Sequence, residues 1–138
     1  MSELIAGGGT IRRLWPTETE KFRDHLLRLD KDSRRLRFAH SVSDSFIEEY
    51  ASRMGEFGSL VYGHLVDGKV RGAAELRRLG DTWGEEAEAA FSVEKAYQDQ
   101  GVGSDLMGRV ARAACSGRSC SRRTGPSAWS CRGPRGRR

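Results

Sequence analysis

The chain changes character abruptly after Ala114, and that break confines where a core can form. Residues 115–138 hold seven Arg, five Ser, four Gly, three Cys and two Pro, with no Leu, Ile, Val, Met or Phe. Such a stretch buries almost no apolar surface, so disorder is expected there, and a packed domain must come from residues 1–114. The length fits one domain. The net charge of +5 also belongs to the tail, which carries +7 and leaves the body 17 basic and 19 acidic side chains, a net of −2. Nothing in the body calls for nucleic acid, although the tail alone is open to a reading as an Arg-rich arm for nucleic acid or anionic lipid. The start, M-S-E-L-I-A-G-G-G-T, has neither the basic opening nor the apolar run of a secretory signal, and no segment is long enough to span a membrane. A soluble cytoplasmic protein is expected. All three Cys lie in the tail without a nearby His, so neither a disulfide-built body nor a metal site is expected.

Within the body the order of elements can be read from periodicity. Gly7–Gly9 suggest a flexible lead-in; a phosphate loop is the sharper alternative, but no strand precedes it. Residues 10–15 suit a first strand. Thr17 with Glu20 three residues later forms a capping box for a helix through Asp30, with Phe22, Leu26 and Leu29 on one face. A second helix begins at residues 43–45, with Phe46, Ile47, Tyr50 and Met54 as its stripe and Gly55 as its stop. Strands over 59–66 and 69–79 flank Asp67-Gly68, a strong hairpin signal because a tight primed turn needs positive φ. After a turn at 80–84, residues 85–93 alternate as a further strand, and 101–114 return to helical spacing through Val102, Leu106, Val110 and Ala114. The expected order is strand, helix, helix, three strands, helix. That is an α/β (α+β) domain with a mostly antiparallel sheet.

The chemistry concentrates in F-S-V-E-K-A-Y-Q-D-Q-G-V-G-S-D-L-M, residues 91–107. A strand ends at Val93 and a helix starts in the Gly101-Val102-Gly103-Ser104 turn. A helix start leaves N–H groups without intrahelical partners and carries partial positive charge, which suits an anion such as a pyrophosphate. The pattern is neither a Walker loop nor a full dinucleotide fingerprint, since no Lys-Ser/Thr follows and Leu106 replaces a third glycine. On spacing alone, an ordinary strand-to-helix turn fits as well. Along the preceding strand, period two puts Glu86, Glu88, Ala90 and Ser92 on one face and Ala87, Ala89, Phe91 and Val93 on the other. The apolar face should pack on helices, leaving Glu88 toward a cleft or toward solvent. His25, His40 and His64 share no metal-ligand spacing and are expected to be surface or packing residues. Trp15 and Trp83 are expected to pack at element ends.

Gln98-x-x-Gly101-x-Gly103, after Val93 and before Leu106-Met107, resembles the acetyl-CoA signature of the GCN5-related N-acetyltransferases (GNAT). The two early helices, the Asp-Gly hairpin and the alternating strand follow that family's order over residues 11–114. Residues 33–38, S-R-R-L-R-F, with the later A-E-A-A-F-S-V, are similar to its protein-lysine acetyltransferase branch. The resemblance implies a GNAT-like sheet flanked by helices and acetyl-CoA as acetyl donor. It also implies backbone N–H groups of Gln98, Gly101, Val102, Gly103 and Ser104 on the pyrophosphate, and backbone of Phe91, Ser92 and Val93 along the pantetheine arm. Glu88 would be the general base for an amine, whether a small molecule, an antibiotic, a peptide N-terminus or a protein lysine. Glu75 is a lesser candidate, and a solvated strand face is the plain alternative for Glu88.

The same resemblance implies further strands after Ala114, which the tail does not supply by composition. An Arg, Gly, Ser, Pro and Cys mixture is what a GC-rich gene yields out of frame, so a partial GNAT domain over 1–114 followed by a frameshifted tail is expected. The C-terminal strands would be missing, the sheet would end on an unpaired edge, and no Tyr follows Tyr97 to protonate a leaving thiolate. Impaired turnover follows. A non-catalytic CoA-binding remnant is the competing class, and an interaction protein acting through its Arg tail is the third.

Overall fold

The structure, a computed structural model, describes residues 9–54, 56, 59–78, 87–114, 119–122 and 129–132. The expectations for Gly7, Gly8, Gly55, the 80–84 turn, Trp83 and Glu86 lie outside the described residues. The elements are β1 (Thr10–Arg13), α1 (Thr19–Arg28), α2 (Lys31–Phe38), α3 (Asp44–Ser52), β2 (Leu60–Val66), β3 (Lys69–Arg78), β4 (Ala87–Val93), α4 (Val102–Ala114), β5 (Ser119–Arg122) and β6 (Trp129–Arg132). The sheet order is β1-β2-β3-β4-β6-β5, with every neighbouring pair antiparallel. Asp67 (φ 52) and Gly68 (φ 76) make the expected left-handed hairpin turn between β2 and β3.

Two cores form, one on each face of the sheet. Phe22, Leu26 and Leu29 from the first helical segment, with Ile47, Ala51 and Met54 from the α3 region, pack on Leu14, Val61, Leu65, Val70 and Ala73. On the opposite face Val102, Leu106 and Val110 of α4 meet Ile11, Tyr62, Ala74, Leu76 and Ala89. Burying a side chain of this size contributes about 1.5–3 kcal/mol. The period-two reading of β4 therefore holds: Ala89 turns to α4, while Ser92 lies buried on the α1 side with His25.

Four sequence expectations need correction. An additional helix, α2, fills residues 31–38. It buries no residue fully, so it lacks the apolar stripe by which helices are recognised. The cap before α1 is Glu18, not the Thr17–Glu20 pair: Pro16–Glu18 form a short 3-10 turn and Trp15 N donates to Glu18 Oε1 at 3.0 Å. Arg12 grips the same carboxylate with two 2.7 Å bonds and brings it down to about 2. Gly9 is no loose lead-in, since a Cβ there would stand 2.2 Å from Leu65 O; the backbone of the first strand lies against β2. Finally, the tail is not wholly without order. The backbone of β5 and β6 forms a hairpin, and Ser130 pairs with Glu88 of β4, so the expected missing strand and bare edge are occupied at that point. Strand pairing uses backbone groups that every residue but proline carries, and an open sheet edge offers them partners whatever the side chains.

Gly72 on β3 sets how closely α4 approaches. A Cβ there would lie 3.0 Å from Val102 Cγ1 and 3.2 Å from Leu106 Cδ1. Gly72→Val should force α4 off the sheet at a cost of about 1–3 kcal/mol, read as a lower Tm in thermal melts.

Candidate active site

β4 carries the site along its length. β3 pairs with one edge of β4 from Gly72↔Val93 to Arg78↔Ala87. On the other edge β6 meets it at Glu88, and the Phe91–Val93 stretch has no strand partner among the described residues. Beyond Val93, a 3-10 turn over Lys95–Tyr97 and two left-handed residues, Asp99 (φ 61) and Gly101 (φ 82), swing the chain into α4. The first intrahelical bond runs from Asp105 N to Gly101 O at 3.0 Å, which leaves the amides of Val102, Gly103 and Ser104 ahead of it. Val102 anchors this turn in the core, whereas a Cβ on Gly103 would meet nothing within 4 Å. Gln98 fixes the turn from the other side: its Nε2 donates to Val93 O at 2.9 Å and to Ser33 Oγ of α2 at 3.1 Å. Gly101, Val102, Gly103 and Ser104 are thus brought together as open backbone at a helix start, whereas the N–H of Gln98, expected on the anion, is already donated to Lys95 O at 3.2 Å. From Glu88 to Val93 is five strand residues, about 17 Å at a rise of ~3.4 Å each, room for an elongated ligand.

At the far end of β4, Glu88 and Ala90 face the α1–α3 side beside their cross-strand neighbours Arg77 and Glu75. A small cleft of about 80 Å³ is lined by Arg37, Tyr50, Glu75, Arg77, Glu88 and Ala90. It shares Tyr50, Glu75 and Arg77 with a larger cavity of about 420 Å³ walled by Phe22, Arg53, Met54 and Ser59. The two glutamates differ sharply. Glu75 accepts from Tyr50 Oη at 2.5 Å, Arg37 Nη2 at 2.9 Å and Arg77 Nη2 at 3.2 Å, so its oxygens are already engaged. Burial raises the Tyr50 phenol and keeps it a donor. Glu88 is exposed, and its side chain makes no hydrogen bond or ion pair with a described residue. A base needs an unoccupied oxygen, which Glu88 offers and Glu75 does not.

A second polar cluster was not legible in the sequence. His25, fully buried, lies with Nε2 2.8 Å from Ser92 Oγ and Nδ1 3.0 Å from Glu94 Oε2. Arg28 Nε and Arg71 Nη1 donate to Glu94 Oε1 at 3.1 and 3.0 Å. Burial pushes His25 below its ordinary value despite the carboxylate beside it. Burial works the other way on Glu94, but His25, Arg71 and Arg28 outweigh it and hold the carboxyl low. A neutral imidazole donating from Nδ1 to Glu94 and accepting from Ser92 Oγ–H satisfies all three groups. His25 is therefore the hub of a network, not the filler its isolation in sequence suggests. Trp15, expected to pack at an element end, is 59% exposed.

A sheet with helices on both faces, and one strand running into a glycine turn at a helix start, makes this a mixed α/β domain with open backbone at one helix start. Residues 23–124 match the model of the Acetyltransferase (GNAT) family, and the chain belongs to that family. Among solved structures, the GNAT domain of S. lividans PAT is 17% identical, covering 95% of this chain and 94% of that one with a TM-score of 0.67. An aminoglycoside acetyltransferase from an uncultured soil metagenomic sample, solved with trehalose, is 23% identical over 77% of this chain and 69% of its own, TM-score 0.55. PaiA N-acetyltransferase from Thermoplasma acidophilum, in complex with coenzyme A, is 14% identical over 90% and 98%, TM-score 0.51. At these identities the likeness establishes the fold. No curated protein matches the chain in sequence at a significant level. Among the described residues, no His, Cys, Asp and Glu group is placed to hold a metal, and no helix is long and apolar enough to cross a membrane.

The buried histidine gives stability a pH signature. Below the ordinary value of 6.5 an unfolded chain protonates His25 while the folded one resists, so the unfolded state binds more protons and stability falls on acidification. Glu94, held below 4.5, adds a loss in the same direction at lower pH. Tm should decline as pH is lowered from 7 to 5, at about 4 °C per kcal/mol lost. His25→Gln, which cannot titrate, should flatten that slope in pH-dependent melts.

Proposed function

We propose that this chain transfers an acetyl group from acetyl-CoA to an amine by direct attack. One observation carries the reading: a single strand joins an exposed carboxylate at one end to a helix-start amide turn at the other, and along Phe91–Val93 its second edge has no strand partner among the described residues. The amides of Gly101, Val102, Gly103 and Ser104 would receive the pyrophosphate, while Gln98, whose own N–H is spent on Lys95 O, would fix the turn. Phe91, Ser92 and Val93 would lend backbone to the pantetheine arm in the manner of an added strand, with the Ser92 side chain turned away to His25. The donor supplies an activated acetyl thioester. Glu88 would take a proton from the acceptor ammonium, directly or through water. The freed nitrogen lone pair then forms the C–N bond as the C–S bond breaks toward sulfur, giving an amide and CoA. Family membership supports the acetyl-transfer chemistry, and the unoccupied oxygens of Glu88 favour it over Glu75 as base. The acceptor is a small molecule or a protein lysine. Residues 98–138 contain no Tyr, and solvent or the released acid would supply the proton to the departing thiolate.

Two variants test the reading. Gly103→Leu points into open space and should melt like the parent, yet weaken CoA in calorimetry at least tenfold. Unchanged affinity would remove the pyrophosphate seat. Glu88→Gln should lower thiol release from acetyl-CoA about 10²-fold or more with CoA affinity intact. Binding of CoA without thiol release by the parent chain would assign it to coenzyme binding alone.

A further inference from the structure

The acceptor groove has more chemistry than amine capture requires. Resting on the acetyl-transfer reading, we infer that the acceptor is an α-amino acid with an apolar side chain, its amine at Glu88, its carboxylate on Arg77 and its side chain in the cavity beyond. Three features converge on that class. Arg77 and Glu88 are directly opposed on β3 and β4, which sets their Cβ atoms about 5 Å apart on one face. That separation matches a ligand whose cation and anion sit on one carbon. Opposite charges on neighbouring strands would ordinarily pair, yet no salt bridge joins these two; Arg77 reaches sideways to Glu75 instead.

Arg77 is not needed where it rests. Glu75 is already neutralised by Arg37, whose side chain is 7% exposed, and takes a further bond from Tyr50. Arg77, 54% exposed and 3.2 Å from Glu75, holds the weakest of those three contacts. Burial opposes its charge, but Tyr50, Glu75 and Glu88 more than offset that and keep it cationic. A planar guanidinium with free donors is the side chain best matched to a carboxylate. Arg53, tied only to exposed Glu49, adds a second cation at the rim.

The larger cavity supplies the remaining element. Its 420 Å³ lies within the range of small-ligand pockets, and Phe22 and Met54 give it an apolar wall. Glu75, whose charge is spent on Arg37, stands between the two spaces without offering a competing anion. A lysine side chain on a protein brings an amine with no adjacent carboxylate and would leave Arg77 and the apolar wall unused.

Matched ligands decide it. Binding of L-phenylalanine, L-leucine and L-methionine to the full chain, with CoA present, should exceed that of phenethylamine and isoamylamine at least tenfold by ligand-observed NMR. Arg77→Gln should erase the preference while CoA affinity in calorimetry stays at the parent value, and Arg77→Lys should restore part of it. Met54→Trp, which fills the cavity without touching either charge, should weaken the large amino acids more than glycine. Equal affinity for acids and amines, a preference for an acetylatable lysine peptide, or an unaltered preference in Arg77→Gln would overturn the inference. If CoA does not bind while the amino acids still do, the donor assignment falls and the groove assignment stands. Amino-acid discrimination lost with CoA binding intact gives the reverse.

Discussion

Glu94 is a carboxylate nearly cut off from solvent, and four hydrogen bonds to three residues tie three elements together through it. His25 and Arg28 reach it from α1, Arg71 from β3, and its own backbone N–H bonds Arg71 O at the end of β4. The glycine turn begins within a few residues of it, so the position of the helix-start amides depends on this one charge being held. Removing Arg28 or Arg71 would take one of two cations from this carboxylate and cost about 1.5–3 kcal/mol, more than a surface pair contributes. Ser92 extends the same network into β4. Its hydroxyl is absorbed inward, which leaves only backbone on the strand's free edge.

The groove at the other end of β4 rests on an opposite arrangement. Glu75 is saturated by three donors, so it acts as a fixed counter-charge that keeps Arg37 and Tyr50 in place. Glu88, two strand positions from Ala90 and opposite Arg77, is left open. Two carboxylates on neighbouring strands thus take on different tasks through their partners alone. The scaffold supplies rigidity where charge is satisfied and reactivity where it is not.

Much of this was legible in the sequence, for reasons that can be named. The hairpin, β3, β4 and α4 follow from period-two and helical spacing bounded by Asp67-Gly68 and Gly101, because each pattern serves a buried face. Alternation placed Glu88 on one face with Glu86, and the family resemblance singled it out. What escaped notice lacked such a face. Helix α2 is charged on nearly every side and is held by Phe38 and polar ties, so apolar periodicity is silent on it. The meeting of His25 with Ser92 and Glu94 spans 67 and 69 residues of chain, and no local pattern encodes a contact that long. Tyr50 was visible only as a helix residue, and Arg37 only within the S-R-R-L-R-F stretch, until the fold set them against Glu75. Pairing of Ser130 with Glu88 was hidden for another reason: backbone pairing leaves little mark on side-chain composition.

Helix α2 touches both halves of the site. Near its start Ser33 accepts from Gln98, the residue that pins the glycine turn; near its end Arg37 clasps Glu75 and Tyr50 in the groove. Eight residues of helix make a stiff rod about 12 Å long. A rod pinned at both ends works as a yoke. The bridge between the two halves of the site is thus a charged helix that rests on the first core through Phe38.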